Sequence, residues 1–334
     1  MIDLENKTVL VTGAGGSIGS QLCREILKSN VKILKAFDTS EYNLHKLGQE
    51  LESSKIRLLV GDVRDRDRLS RAIRGTDLII HAAALKHVKI CEYNPDEAFK
   101  TNVQGSQNVV DLARFHDVKK SILISTDKAA NPSSVMGTTK LLAEKMFLNA
   151  PSIQGNDAKF YVVRFGNVFG SKGSVVEIFH DLLRKNGPLS LTDKDVCRYF
   201  MSIEQACKLI LTTLEISEGN ETFILKMKKA KILDVANRIC YFMKGNENFE
   251  WYETGLSPGE KLDEILMSDQ EKMLCSETEN FYIINNGRNA PHYNDTLNLE
   301  KKNKYELDDF YMSNQEIDDM ILDWSRSQNL EDKS

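Results

Sequence analysis

The stretch VLVTGAGGSIGSQL, residues 9–22, restricts this chain more than any other. An apolar run ends at Thr12 and is followed at once by Gly13, Gly16 and Gly19 in a GxxGxxG spacing, with Ser17 and Ile18 between the last two. Between a strand and a helix such glycines have separate duties. Gly13 makes the tight turn, Gly16 lets the backbone approach a pyrophosphate, and Gly19 lets the helix press on the sheet. The free N–H groups of the helix start attract negative charge. Asp38, in KAFDTSE, closes the next apolar run, and this context turns a glycine triad into a dinucleotide fingerprint; glycines of an ordinary tight turn are the competing reading. A carboxylate at 38 can accept hydrogen bonds from a free ribose diol and repels a 2′-phosphate, and Thr39 adds no positive charge. NAD is therefore favoured over NADP.

Six apolar runs follow one another through the first half: 7–11, 31–37, 55–62, 76–83, 119–126 and 159–165. Runs this short, separated by amphipathic stretches, predict buried parallel strands with crossover helices, hence an α/β, Rossmann-type doubly wound sheet over 1–170. Asp62 closes the third run, where it either meets an adenine amino group or caps the next helix; Val63 beside it, and Ala82 and Ala83 at the end of the fourth, border the same cleft. After RFGNVFG (164–170) the rhythm breaks. A helix over 202–217 and the run 222–226 return to the sheet, so 171–201 and 229–300 form a smaller substrate-binding region built from excursions, and 301–334 is a tail. The segment from about 268 onward, with aromatic residues at 281, 282, 293, 305, 310, 311 and 324, is expected to be ordered in part, with only its last few residues loose.

Lys and Arg total 44 against 49 Asp and Glu, without charged blocks, which points away from nucleic acid and membrane surfaces as partners. Six cysteines lack CxxC or His/Cys ligand spacing, so no metal is expected. With no signal-like N-terminus and no apolar run of roughly 18 residues, they are read as reduced thiols of a soluble, cytoplasmic protein. Helices near 94–116 and 134–149 carry more apolar residues than one buried face needs, which fits a homo-oligomer.

TGAGGSIG, GDVRD, HAAALKHV, TNVQGSQNVV, STDKAANP, GTTK, RFGNVFGS, CRYFMS and SPGEKLDE stand in the order seen in extended short-chain dehydrogenase/reductases. STDKAANP together with AALKHV most resembles the UDP-N-acetylglucosamine 4,6-dehydratases of bacterial polysaccharide biosynthesis, over about residues 5–270. Longer members of that group carry membrane helices ahead of this domain, and this chain resembles the soluble form.

The resemblance implies a reaction in which nicotinamide takes the C4 hydride of a nucleotide sugar, UDP-N-acetylglucosamine or a close NDP-hexose. Water leaves across C5 and C6, and the hydride returns to C6. It implies Asp127 as the acid for the leaving hydroxyl and Lys128 as the C5 base, which requires a depressed lysine pKa, with AANP turning the chain between them. Lys140 would bond the nicotinamide ribose. One helical turn earlier stands Met136, where the superfamily usually has tyrosine. A thioether cannot take a proton, so the C4 hydroxyl proton is expected to leave through Thr126, or a water, toward Asp127 or an amine. Lys86, His87, Asn167, Arg198 and Glu260 are the implied substrate contacts. Ser257 replaces an arginine of the family pattern and removes one nucleotide contact. The competing readings are an NDP-sugar 4-epimerase, which needs no Asp-Lys pair after Thr126, and a noncatalytic dinucleotide-binding module.

Overall fold

The computed structural model describes residues 4–150, 158–286, 297–298 and 311–328. Its centre is a sheet to which the first half contributes β1 (Thr8–Thr12), β2 (Ile33–Asp38), β3 (Ile56–Val60), β4 (Leu78–His81), β5 (Lys120–Thr126) and β6 (Lys159–Phe165). These lie in the order β6-β5-β4-β1-β2-β3 and all pair in parallel. Both faces are covered, which explains the unbroken apolar runs. Val9 and Val11 pack on one side with Leu22 and Ile26 of α1 (Ser17–Lys28), while Leu10 between them packs on the other with Ile79, Leu123 and Phe147. The order of strands reverses between β1 and β4, and in open α/β sheets such a switch point holds the ligand crevice.

The strand Glu221–Leu225 returns to this sheet in parallel beside β6, after the helix Ile203–Ile216. Beyond it the sheet continues with Phe281–Asn285, Cys275–Glu277 and Leu297–Asn298, paired antiparallel. This departs from the sequence reading, which placed all of 229–300 outside the sheet. FYIIN offers Ile283 and Ile284, both fully buried, to the two faces of an edge left open by the returning strand. Residues 293, 305 and 310, and the chain's last six, lie outside the described residues.

The second region has its own core. The helices Val175–Arg184, Ile232–Lys244 and Asn314–Ser327 close on Phe169, Phe200 and Trp324. The last of them starts at a capping box in which Ser313 and Glu316 satisfy each other's backbone N–H groups. The stretch read as a tail thus supplies a structural helix. Among the described residues no helix is long and apolar enough to cross a membrane, and all six cysteines are free and buried.

Two buried polar devices bind these parts. Arg164 on β6 is fully buried, 2.6 Å from Glu144 and 2.8 Å from Glu271, and it also donates to the Leu266 carbonyl at 3.1 Å. One guanidinium thereby ties the helix Val135–Asn149, the sheet and the C-terminal excursion together. The helical run 95–115 contains a π-helical turn at Phe99–Gln104 that periodicity does not announce. It carries the buried side chain of Asn102, which accepts from Leu85 N at 2.8 Å and donates to Leu85 O at 3.0 Å and Thr139 Oγ1 at 3.1 Å.

Candidate active site

A cavity of about 840 Å³ opens at the switch point, where β1, β4, β5 and β6 end. One wall is the glycine turn. Gly13 has φ +69°, and a Cβ there would stand 2.7 Å from Ala83 N; a Cβ on Gly19 would stand 2.1 Å from Gly13 O. Substitution at either position is blocked by backbone, so the loop lies as close to β4 and to its own helix as a chain can. Gly16 is the N-cap of α1 and leaves the first N–H groups of the helix open to the cavity, with Ser17, Ile18 and Gly19 lining it. Asp38 closes this end: its carboxylate accepts from Gly15 N at 2.9 Å and Ser40 N at 2.8 Å. Asp62, Val63, Ala82 and Ala83 complete the wall.

Asp62 does not cap a helix. Asp65 caps α3 (Arg66–Ile73) by accepting from Arg68 N at 2.9 Å, and Asp62 instead binds Arg64, whose guanidinium holds the carboxyl below its usual range against the upward push of burial. The reason is spacing: a cap must stand immediately before the first helical residue, and three residues separate Asp62 from Arg66.

The opposite wall carries the side chains that the sequence reading singles out as acid and base. Thr126 ends β5, and the turn that follows is one 3₁₀ turn, Asp127–Ala129, completed by Asn131 with φ +50°. This tight turn, rather than AANP alone, separates the two side chains. Asp127 is fully buried and does not line the cavity. Its Oδ1 accepts from Thr126 Oγ1 at 2.9 Å and from Lys128 Nζ at 3.0 Å, while Oδ2 has no partner among the described residues. Thr126 and Lys128 do line the cavity, and Lys128 Nζ also donates to Asn167 Oδ1 at 3.2 Å.

Lys140 lies across from them on the helix Val135–Asn149, 5 % exposed, donating to Ile124 O at 2.6 Å. Burial lowers its pKa to about 8, against the pull of Glu144 upward. Met136, 4 % exposed, packs with Cys91 and Ala98 and reaches the same cavity as Lys140.

Lys86 and His87 line the cavity from the segment after β4. Burial lowers both pKa values, and Lys86 lowers that of His87 further. Arg198 and Glu260 stand outside the lining and bind each other at 3.0 Å, Thr192 also donating to Glu260 at 2.9 Å.

Sequence reasoning passed over two contributors. Lys172 reaches from the second region onto the glycine turn: its backbone N donates to Ser17 Oγ at 3.0 Å, its Nζ to Gly15 O at 3.3 Å, and its carbonyl accepts from Lys86 Nζ at 2.8 Å. Its only local signal is the SKGS run after the sixth strand. Glu264, 3 % exposed, stands 3.7 Å from Lys128 Nζ. It closes the SPGEKLDE run, which does not by itself say that its last residue turns toward Lys128.

A family model described as polysaccharide biosynthesis protein matches residues 9–286. An uncharacterized membrane protein, MJ1061 of Methanocaldococcus jannaschii, is 45% identical over 84% of this chain and 86% of its own. A UDP-N-acetylglucosamine 4,6-dehydratase (inverting) of Campylobacter jejuni is 41% identical over 83% of this chain and 82% of its own. A UDP-glucose 4-epimerase of Rickettsia bellii is 32% identical over 84% and 83%. Among solved structures, that of Pen from Bacillus thuringiensis superimposes with a TM-score of 0.91 at 35% identity, covering 96% of this chain and 99% of that one.

Proposed function

The chain belongs to the polysaccharide biosynthesis protein family, and from that premise and the cavity's geometry we propose that it is a nucleotide-sugar 4,6-dehydratase acting on UDP-N-acetylglucosamine or a close NDP-hexose. The observation that carries the reading is the run Thr126, Asp127, Lys128 at the end of β5, in which Thr126 and Lys128 face a glycine cradle across one cavity and both hydrogen-bond the buried Asp127 carboxylate behind them. The cradle suits a dinucleotide: helix N–H groups for a diphosphate, a wall too close for any Cβ, and a carboxylate at the far end that disfavours a 2′-phosphate. NAD is accordingly the preferred cofactor, and it would supply a hydride acceptor at C4 and a donor at C6.

In the net conversion the C4 alcohol becomes a ketone, the C6 alcohol becomes a methyl group and one water is released. Lys128 is the group that takes the C5 proton, once the neighbouring ketone has made that hydrogen acidic. Asp127 has no face on the cavity, so a proton travelling between it and the sugar passes through Thr126 Oγ1 or Lys128 Nζ, each about one hydrogen bond away. Such a relay supplies what a tyrosine at 136 would otherwise supply, and Met136 is left to pack against the sugar. Lys140, a buried cation beside the same end of the cavity, favours the deprotonated C4 oxygen.

The 32% identity to a UDP-glucose 4-epimerase sustains a second reading. Incubation with UDP-N-acetylglucosamine followed by mass spectrometry separates the two. A product lighter by one water supports the dehydratase; an isomer of unchanged mass overturns it in favour of the epimerase, and no change overturns both. The same incubation in deuterated water, with C5 read by NMR, gives the stereochemical course.

A further inference from the structure

We infer that Glu264, a buried carboxylate contributed by the C-terminal excursion, is a positioning residue for Lys128. The inference rests on the dehydratase reading for its chemistry and not for its geometry. Lys128 Nζ faces three acceptors drawn from three separate segments: Asp127 Oδ1 at 3.0 Å from the end of β5, Asn167 Oδ1 at 3.2 Å from the segment after β6, and Glu264 Oε1 at 3.7 Å. An ammonium has three N–H bonds to satisfy, and an amine that becomes one on taking a proton needs its third acceptor at that moment.

Glu264 is placed for this at a cost. It is 3 % exposed, and its Oε2 has no hydrogen-bond partner among the described residues, its nearest cation being Lys261 Nζ at 3.7 Å. A carboxylate left partly unsatisfied in the interior is unfavourable. A purely structural demand for a polar side chain here would be met as well by glutamine.

Lys261, one helical turn's spacing earlier in the same segment, donates to the carbonyls of Ala130 and Asn131. The two residues of one excursion therefore grip both the reactive side chain and the turn that carries it. The charged groups facing Lys128 are Asp127 and Glu264; Lys86, His87, Lys140 and Lys172 line the same cavity, and Lys261 faces Glu264 from behind.

The test uses the full chain with E264Q and E264D. The protein is grown with [13C,15N]lysine, which leaves every ammonium unmodified, and the Lys128 side-chain resonance, assigned through K128R, is titrated by NMR. The signal is expected to titrate at lower pH in E264Q than in the wild type, because a negative neighbour is gone, and to stay near the wild-type position in E264D. With UDP-N-acetylglucosamine, E264Q is expected to lose roughly tenfold or more in the kcat reached on the plateau above its acid limb, with KM held within about threefold, while the limb itself moves the same way as the resonance. An unchanged Lys128 titration in E264Q overturns the inference whatever reaction the protein catalyses. Should E264Q fail to fold, an E264D protein whose Lys128 signal matches that of an Asn167→Ala control, and not the wild type, overturns it equally. Absence of any dehydrated product from the wild type, with the titration shift present, sinks the dehydratase reading and leaves the positioning of Lys128 standing.

Discussion

The sheet half and the excursion half of this molecule contribute to one cavity by different means. The sheet half delivers Gly13, Asp38, Thr126, Lys128 and Lys140 from strand ends and the helices that follow them, so each is placed by the element it sits on. The excursion half delivers Lys172 and Glu264 across 155 and 136 residues of chain, from segments without regular structure of their own. On the proposed reading the sheet half sets which atoms react. The excursion half sets how firmly they are held, and how firmly the glycine turn is covered.

If that division is correct, the largest effect belongs to the sheet half. Lys128→Met is expected to lower the rate of product formation by about 10³-fold or more while NAD affinity, read by titration calorimetry, stays within twofold. Comparable loss of both would put Lys128 in the cofactor site and blur the distinction.

Next comes a pH effect on stability. The folded chain gives up the Lys140 proton near pH 8, whereas the unfolded chain keeps it to about 10.5. Between those values the unfolded state binds more protons, so the wild type gains stability relative to K140M as pH rises, by about 3 kcal/mol in total. Urea unfolding of the pair at pH 7 and pH 10 measures it, and a constant difference would mean that Lys140 is charged at both.

In the excursion half, Gly170→Ala meets two obstacles. The residue has φ +63°, and the new Cβ would lie 1.9 Å from Trp324 Cδ1. A loss of about 2–3 kcal/mol in urea unfolding is expected, whereas in a Trp324→Ala background the same substitution should cost only about 1 kcal/mol, the strain of its φ, since the clash then has no second party.

The smallest effect sharpens the comparison most. Lys172→Met is expected to weaken NAD binding by about tenfold and to flatten its salt dependence, with Lys172→Arg close to the wild type. Equal affinity in K172M would show that the excursion half leaves the dinucleotide to the sheet alone.

The same division explains what could be read from the chain unaided. A glycine triad after an apolar run, an acid at the end of the next, and short runs separated by amphipathic stretches are local patterns, and the cradle at Gly13 to Gly19 and the six parallel strands follow from them. Asp62 left two readings open because a strand-end aspartate and a helix cap look alike until the helix start is fixed, and Asp65 holds that place. Asp127 stands beside Lys128 in sequence, yet a 3₁₀ turn sends one side chain inward and the other into the cavity, which no spacing rule announces. FYIIN reads as a strand in either region, and only the open edge beside Glu221–Leu225 decides where it pairs. Glu264 and Lys172 are invisible locally because their partners lie more than a hundred residues away.

Arg164 carries a consequence for anyone recombining relatives of this protein. Its two carboxylate partners come from residues 144 and 271, on opposite sides of any convenient crossover. A chimera that takes its strands from one parent and its C-terminal portion from another must inherit those three positions as a matched set. A mismatch would bury a lone charge at the seam, and the hybrid would be lost at the folding step whatever the compatibility of its two parents' chemistry.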